Sequence, residues 1–127
     1  MTPSSCAFCD RLASNGFFVG NDLAAALWDS YPISPGHALI IPHRHEADFF
    51  ALSKEEQAAI WALLPLVRIE VEKEHRPAAY NVGINVGKAA GQTVAHAHVH
   101  LIPRFKGDKE DPRGGVRWIL PEKARYW

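Results

Sequence analysis

The stretch QTVAHAHVHLIPR, residues 92–104, sets His96, His98 and His100 at every second position of an otherwise apolar run. Side chains on a β-strand alternate between faces, so this spacing predicts a strand with three imidazoles on one side. Ala97, Val99 and Leu101 then face the core. An imidazole titrates at about 6.5 when unperturbed, so its neutral, nucleophilic form is available at pH 7. Two chemistries follow. Neighbouring histidines of a strand can share a metal ion. All three cannot, because residues two apart lie about 6.6 Å from each other and zinc–nitrogen bonds are only about 2 Å long. The alternative is nucleophilic attack on phosphorus or an acyl carbon, with the flanking rings orienting the central one. Gly87, Gly91, Gln92 and Thr93, just upstream, supply backbone amides and neutral donors suited to a phosphate.

The elements that must position this row are readable in outline. FFVGNDLAAALWD reads as a hairpin turning near Gly20-Asn21-Asp22, and HALIIP (37–42) as a buried strand stopped by Pro42. Ser53 followed by Glu56 is a capping-box pattern that opens a helix. Ile60, Leu63, Leu64, Val67 and Val71 continue it as one apolar stripe to about Glu74, with a kink expected at Pro65. YNVGINV (80–86) is the next strand, GKAAGQT a glycine-containing loop, and the histidine strand ends near Pro103. The tail is rich in turn formers, with a short apolar run at 116–120. Strands joined by short connections around one long helix predict an α+β fold on an antiparallel sheet.

With 127 residues, 47% of them apolar and 22% charged, the chain reads as one globular domain over 1–127. Its 14 basic and 14 acidic residues balance, so bulk charge points neither to nucleic acid nor to an anionic membrane. No apolar stretch approaches the roughly 20 residues of a membrane span. MTPSSCAFCDRLAS lacks the basic start and apolar run of a signal peptide, so a cytoplasmic location is expected. Cys6 and Cys9, spaced C-x-x-C, suggest a metal or redox site in a reducing compartment. No thioredoxin-like pattern surrounds them, and His43 and His45 in IPHRH are candidate partners for a metal.

GQTVAHAHVHLIPR resembles the signature of the histidine triad (HIT) family of nucleotidyl hydrolases and transferases: His-x-His-x-His, then two apolar residues, Leu101 and Ile102. The resemblance extends to CAFC, LWDSYPISPGHALIIPHRH and NVGKAAGQT, in the same order along most of the chain. It implies an antiparallel sheet with one long helix and a short N-terminal helix. It also implies that His98 attacks the α-phosphorus of a nucleotide to form a nucleotidyl-histidine, which water then cleaves. His100 would contact the phosphate and hold the attacking ring, with His37 nearby.

By the same resemblance Asn85, Gln92 and Thr93 contact phosphate and leaving-group oxygens, and Asp29 accepts from the ribose hydroxyls. Phe8, Leu27 and Leu39 line the base pocket, while Arg11 stands where many members carry an aliphatic residue. Zinc-containing members imply a structural Cys₂His₂ set of Cys6, Cys9, His45 and His96. A zinc-bound His96 cannot protonate the leaving group, which leaves another histidine, such as His100 or His37, or the leaving group's own protonation. The implied substrate is a purine nucleotide, and members are usually homodimers. The triad sequence lies nearer the branch that hydrolyses dinucleoside polyphosphates such as diadenosine tetraphosphate, and Arg104, Arg113 and Arg117 offer guanidinium groups for a longer phosphate chain. Nucleoside phosphoramidate hydrolysis is the runner-up, and phosphorylase or transferase activity a third reading. A nucleotide-binding interaction module without catalysis is the reading from another class.

Overall fold

The computed structural model describes residues 5–127; residues 1–4, part of the stretch read as lacking a signal peptide, lie outside them. Five strands form one antiparallel sheet: β1 (Val19–Gly20), β2 (Ala24–Trp28), β3 (Ala38–Pro42), β4 (Ala79–Ile84) and β5 (Val99–Arg104), in the order β1-β2-β3-β5-β4. A short helix α1 (Ala7–Ala13) precedes the sheet, a long helix α2 (Lys54–His75) links β3 to β4, and a small helix α3 (Pro121–Ala124) follows a 3₁₀ turn at Gly115–Ile119. This is the expected α+β architecture.

The local signals act as their chemistry requires. The Asn21 side chain accepts from the backbone N–H groups of Leu23 and Ala24 and closes the first hairpin, in which Val19 pairs with Ala26. Ser53 caps α2 through its hydroxyl on the Glu56 N–H, and Glu56 accepts the Ser53 N–H in return. Ile60, Leu63, Val67 and Val71 of α2 are buried against one face of the sheet, on Ala24, Ala26, Ala38, Ile40, Val99 and Leu101. Each such side chain contributes about 1.5–3 kcal/mol on burial. The opposite face carries a smaller cluster of Cys6, Phe8, Cys9, Leu27, Leu39 and Ile41, which seats α1. Gly36, at φ +85°, lets the turn before β3 press against the end of α2; a Cβ there would stand 2.8 Å from the His75 ring.

α2 runs unbroken through Pro65, whose missing N–H faces the outer side of α2, near half-exposed Trp61 and Ile69, where water can take the freed carbonyl. Two expectations need correction. β4 stops at Ile84, leaving Asn85 beyond the strand. The histidine row is not a regular strand. β5 begins only at Val99, so His96 and His98 lie in the irregular segment before it and His100 alone lies within it. β5 also runs through Pro103 to Arg104. There it pairs only with β4, since β3 contacts it no further than Leu101, so the ring costs no ladder bond on the β3 side. Among the described residues no helix is long and apolar enough to cross a membrane.

Candidate active site and metal centre

The departure from strand geometry separates the histidines into two groups. His96 is fully buried, with its Nε2 2.8 Å from the Pro42 carbonyl. That bond places the proton on Nε2 and leaves Nδ1 as a lone pair. Nδ1 lies 3.5 Å from Cys6 Sγ and 3.6 Å from Cys9 Sγ, and His45 Nδ1 lies 3.3 Å from Cys9 Sγ. All four donor atoms fall within 4.8 Å of one another. A tetrahedral ion with Zn–S of about 2.3 Å and Zn–N of about 2.0 Å holds neighbouring sulfur and nitrogen atoms about 3.5 Å apart. The four residues therefore fit such an ion and can hold a metal. Without one, burial first, and then the Cys6 side chain, push the Cys9 thiol up to about 11, while burial lowers the pKa of His96 and keeps its ring neutral. A metal would replace thiol protons that burial otherwise retains.

His98 is oriented the other way. Its Nδ1–H donates to the His96 carbonyl at 2.8 Å, which leaves Nε2 unprotonated in the neutral ring. His98 is 7% exposed and lines a cleft of about 370 Å³ together with Phe8, Asp29, His37, Leu39, Thr93 and His100. The Phe8 ring meets His98 edge-on, with centroids 5.1 Å apart.

Behind His98 runs a relay. The Ile33 N–H donates to His37 Nδ1 at 3.2 Å, so the neutral His37 ring carries its proton on Nε2. Nε2 faces His100 Nδ1 at 2.9 Å and Asp29 Oδ2 at 3.3 Å. His100 in turn carries its proton on Nε2. Burial, then the neighbouring His98 and His37, push the pKa of His100 down to about 4; burial also lowers His37, opposed by Asp29. Both rings are neutral at pH 7 and act as oriented hydrogen-bond groups. Asp29 Oδ1 accepts the Tyr31 N–H at 2.8 Å, which closes the turn after β2.

Among the other candidates, Leu27 is fully buried in the cluster behind the cleft. Asn85 lines a second cleft, on the β4 side of His37 and His100. Gln92 braces two loops: its Oε1 accepts the Gly87 N–H, and its Nε2 donates to the carbonyls of Ala47 and Val94. Arg104 is held by Asp108 and Asn81, Arg113 by Asp111, and Arg117 by the carbonyls of Lys123 and Ala124. His43 points to the Asn21 carbonyl, away from the cysteines. The contributions of the Pro42 carbonyl and the Ile33 N–H were not foreseen, because backbone groups leave no signature in residue identity.

The model of the HIT domain matches residues 13–107. An uncharacterized HIT-like protein of Mycoplasma genitalium is 33% identical over 111 residues, covering 85% of this chain and 79% of its own. The asymmetrical bis(5'-nucleosyl)-tetraphosphatase of Schizosaccharomyces pombe is 41% identical over 91 residues; the match covers 72% of this chain and only 50% of that enzyme. A zinc-bound histidine triad protein from Mycobacterium smegmatis superposes with a TM-score of 0.75 at 31% identity, over 84% of this chain and 80% of that one. With that domain model spanning most of its length and relatives at 30% identity or more along most of the chain, this chain belongs to the HIT family.

Proposed function

We propose that the chain is a nucleotide hydrolase that cleaves a nucleoside 5'-phosphoryl bond through a covalent nucleotidyl-histidine. The observation that carries the reading is the single hydrogen bond from His98 Nδ1–H to the His96 carbonyl, which leaves Nε2 as a lone pair in a ring that borders the cleft. Nε2 attacks the α-phosphorus and the bond to the leaving group breaks. Water then cleaves the phosphorus–nitrogen bond and releases the nucleoside monophosphate. His100, its Nδ1 occupied by His37, directs Nε2–H to a phosphate oxygen, and Thr93 adds a hydroxyl donor. Asp29 accepts from the ribose hydroxyls, while Phe8 and Leu39 wall the purine with Leu27 behind them. Gln92 acts by holding the loop that carries Thr93, and Asn85 faces the leaving-group side.

Zinc is the metal proposed for Cys6, Cys9, His45 and His96; its contribution is structural, tying the N-terminal helix to the segment before His98. We read residues 1–127 as one unit, homodimeric and cytoplasmic. Exposed Ile69 on α2 and Val82 on the edge strand β4 support pairing of two copies.

The preferred substrate is a dinucleoside polyphosphate such as diadenosine tetraphosphate, the class named for the Schizosaccharomyces pombe relative. Phosphoramidate cleavage is the second reading. It is favoured by the internal engagement of Arg104, Arg113 and Arg117, which withholds them from a longer phosphate chain. Hydrolysis of diadenosine tetraphosphate and of adenosine phosphoramidate by wild-type protein and His98→Ala tests both. Turnover of one substrate that vanishes in the variant is expected. Binding without turnover in the wild type would overturn the enzymatic reading.

A further inference from the structure

We infer that Arg11 gives the cleft a preference for 6-oxopurines, guanine foremost. The inference rests on the nucleotide reading above. Arg11 lies in the last turn of α1, one turn after Ala7 and Phe8, and the three present one face of that helix to the cleft. Its Nη1 donates to the Trp28 carbonyl at 2.8 Å and approaches Ser30 Oγ at 3.4 Å; its Nη2 donates to the Gly16 carbonyl at 3.3 Å. Trp28 and Ser30 flank Asp29, so the guanidinium is clamped beside the proposed ribose acceptor, in the lining of the same cleft.

A guanidinium carries five N–H bonds in a rigid plane. Nε–H and one Nη2–H of Arg11 have no acceptor among the described residues, and no carboxylate there forms an ion pair with the side chain. On this proposal the Gly16 carbonyl takes the Nη2 hydrogen nearer Nη1, so that the two open hydrogens share one edge of the plane. The matching ligand edge has two acceptors side by side, as O6 and N7 of guanine do, whereas adenine sets an amino donor beside N7. An apolar cleft walled by Phe8 and Leu39 does not distinguish the two purines; Arg11 does. A charged side chain anchored by neutral carbonyls, with one edge open, selects by hydrogen-bond pattern.

Calorimetric binding of guanosine, inosine, 7-deazaguanosine and adenosine 5'-monophosphates to the intact wild-type protein is the test. The guanosine and inosine forms should bind about five- to a hundredfold tighter than the adenosine form. The 7-deaza form, lacking N7, should fall toward adenosine. Arg11→Leu, and Arg11→Lys with charge but no fork, should collapse the ratio, with thermal melting reporting whether each variant is folded. Because the four ligands are compared on wild-type protein, the result stands even if a variant unfolds. Equal affinity for guanosine and adenosine monophosphates, or undiminished binding of the 7-deaza form, overturns this inference and leaves the nucleotide reading intact. Binding of none of the four overturns both.

Discussion

His96 and His98 are separated by one residue and do opposite things. In His96, Nε2 is committed to the Pro42 carbonyl, and the free nitrogen converges with two thiols and His45 on a point. In His98, Nδ1 is committed to the His96 carbonyl, and the free nitrogen belongs to a ring that opens on a cleft. The backbone claims opposite ring nitrogens, which turns the free nitrogen of His96 toward the candidate metal ligands and suits that of His98 to the substrate role proposed for it. The peptide between them, Ala97, is buried and its N–H donates to the Glu46 carbonyl, so neither ring can take the other's place.

The sharpest way to break this comparison is to remove the free nitrogen of His98. His98→Ala should lower turnover by at least about a thousandfold while leaving the metal content of the purified protein unchanged. Elemental analysis beside a steady-state assay reads both, and loss of metal from that variant would show that the two groups are not separable. The converse is Cys9→Ala. It should empty the metal site and lower the melting temperature by on the order of 10 °C. KM should rise more than kcat falls, because Phe8 rides on the loosened helix; a kcat loss as large as that of His98→Ala would contradict a structural role.

Acid sharpens the comparison further. The folded-state pKa of His100 lies below its ordinary value, at about 4, and that of His37 is lowered too. Between the ordinary value of about 6.5 and about 4 the unfolded chain therefore binds more protons, and stability falls as pH falls through that window. The melting temperature should drop from pH 7.5 to pH 5, and drop less in His100→Asn. An equal drop in the two proteins would remove the buried relay as the cause. The smallest effect serves as the control. Ser53→Ala breaks the capping box of α2, whose side chains bond to neither histidine group, and should cost about 1 kcal/mol in a denaturant titration with metal content and turnover unaltered.

What was legible in the residues was what local chemistry decides. The Ser53–Glu56 box, the stripe from Ile60 to Val71 and the Asn21 turn each act within a few positions of themselves, and each forms as read. The composition of the two histidine groups was legible only through the resemblance. Their geometry was not, because it depends on contacts between distant segments. Period-two spacing predicts a strand through His96, yet β5 begins only at Val99, and His96 instead bonds to the Pro42 carbonyl 54 positions away. Gln92 reads as a phosphate ligand from its type and place, whereas its amide reaches back 45 positions to Ala47. Arg104, Arg113 and Arg117 read as groups for a longer phosphate chain, whereas their carboxylate and carbonyl partners depend on turns that composition does not specify.

α1 spans seven residues, too few to persist as an isolated helix in water. It is fastened at one end by Cys6 and Cys9 and at the other by the Arg11 clamp on Trp28 and Gly16. The α1 wall of the cleft thus depends on these two attachments rather than on the helix's own stability. On the proposed zinc reading, the backbone amides of this one short helix should exchange with solvent more slowly with the metal bound than without it.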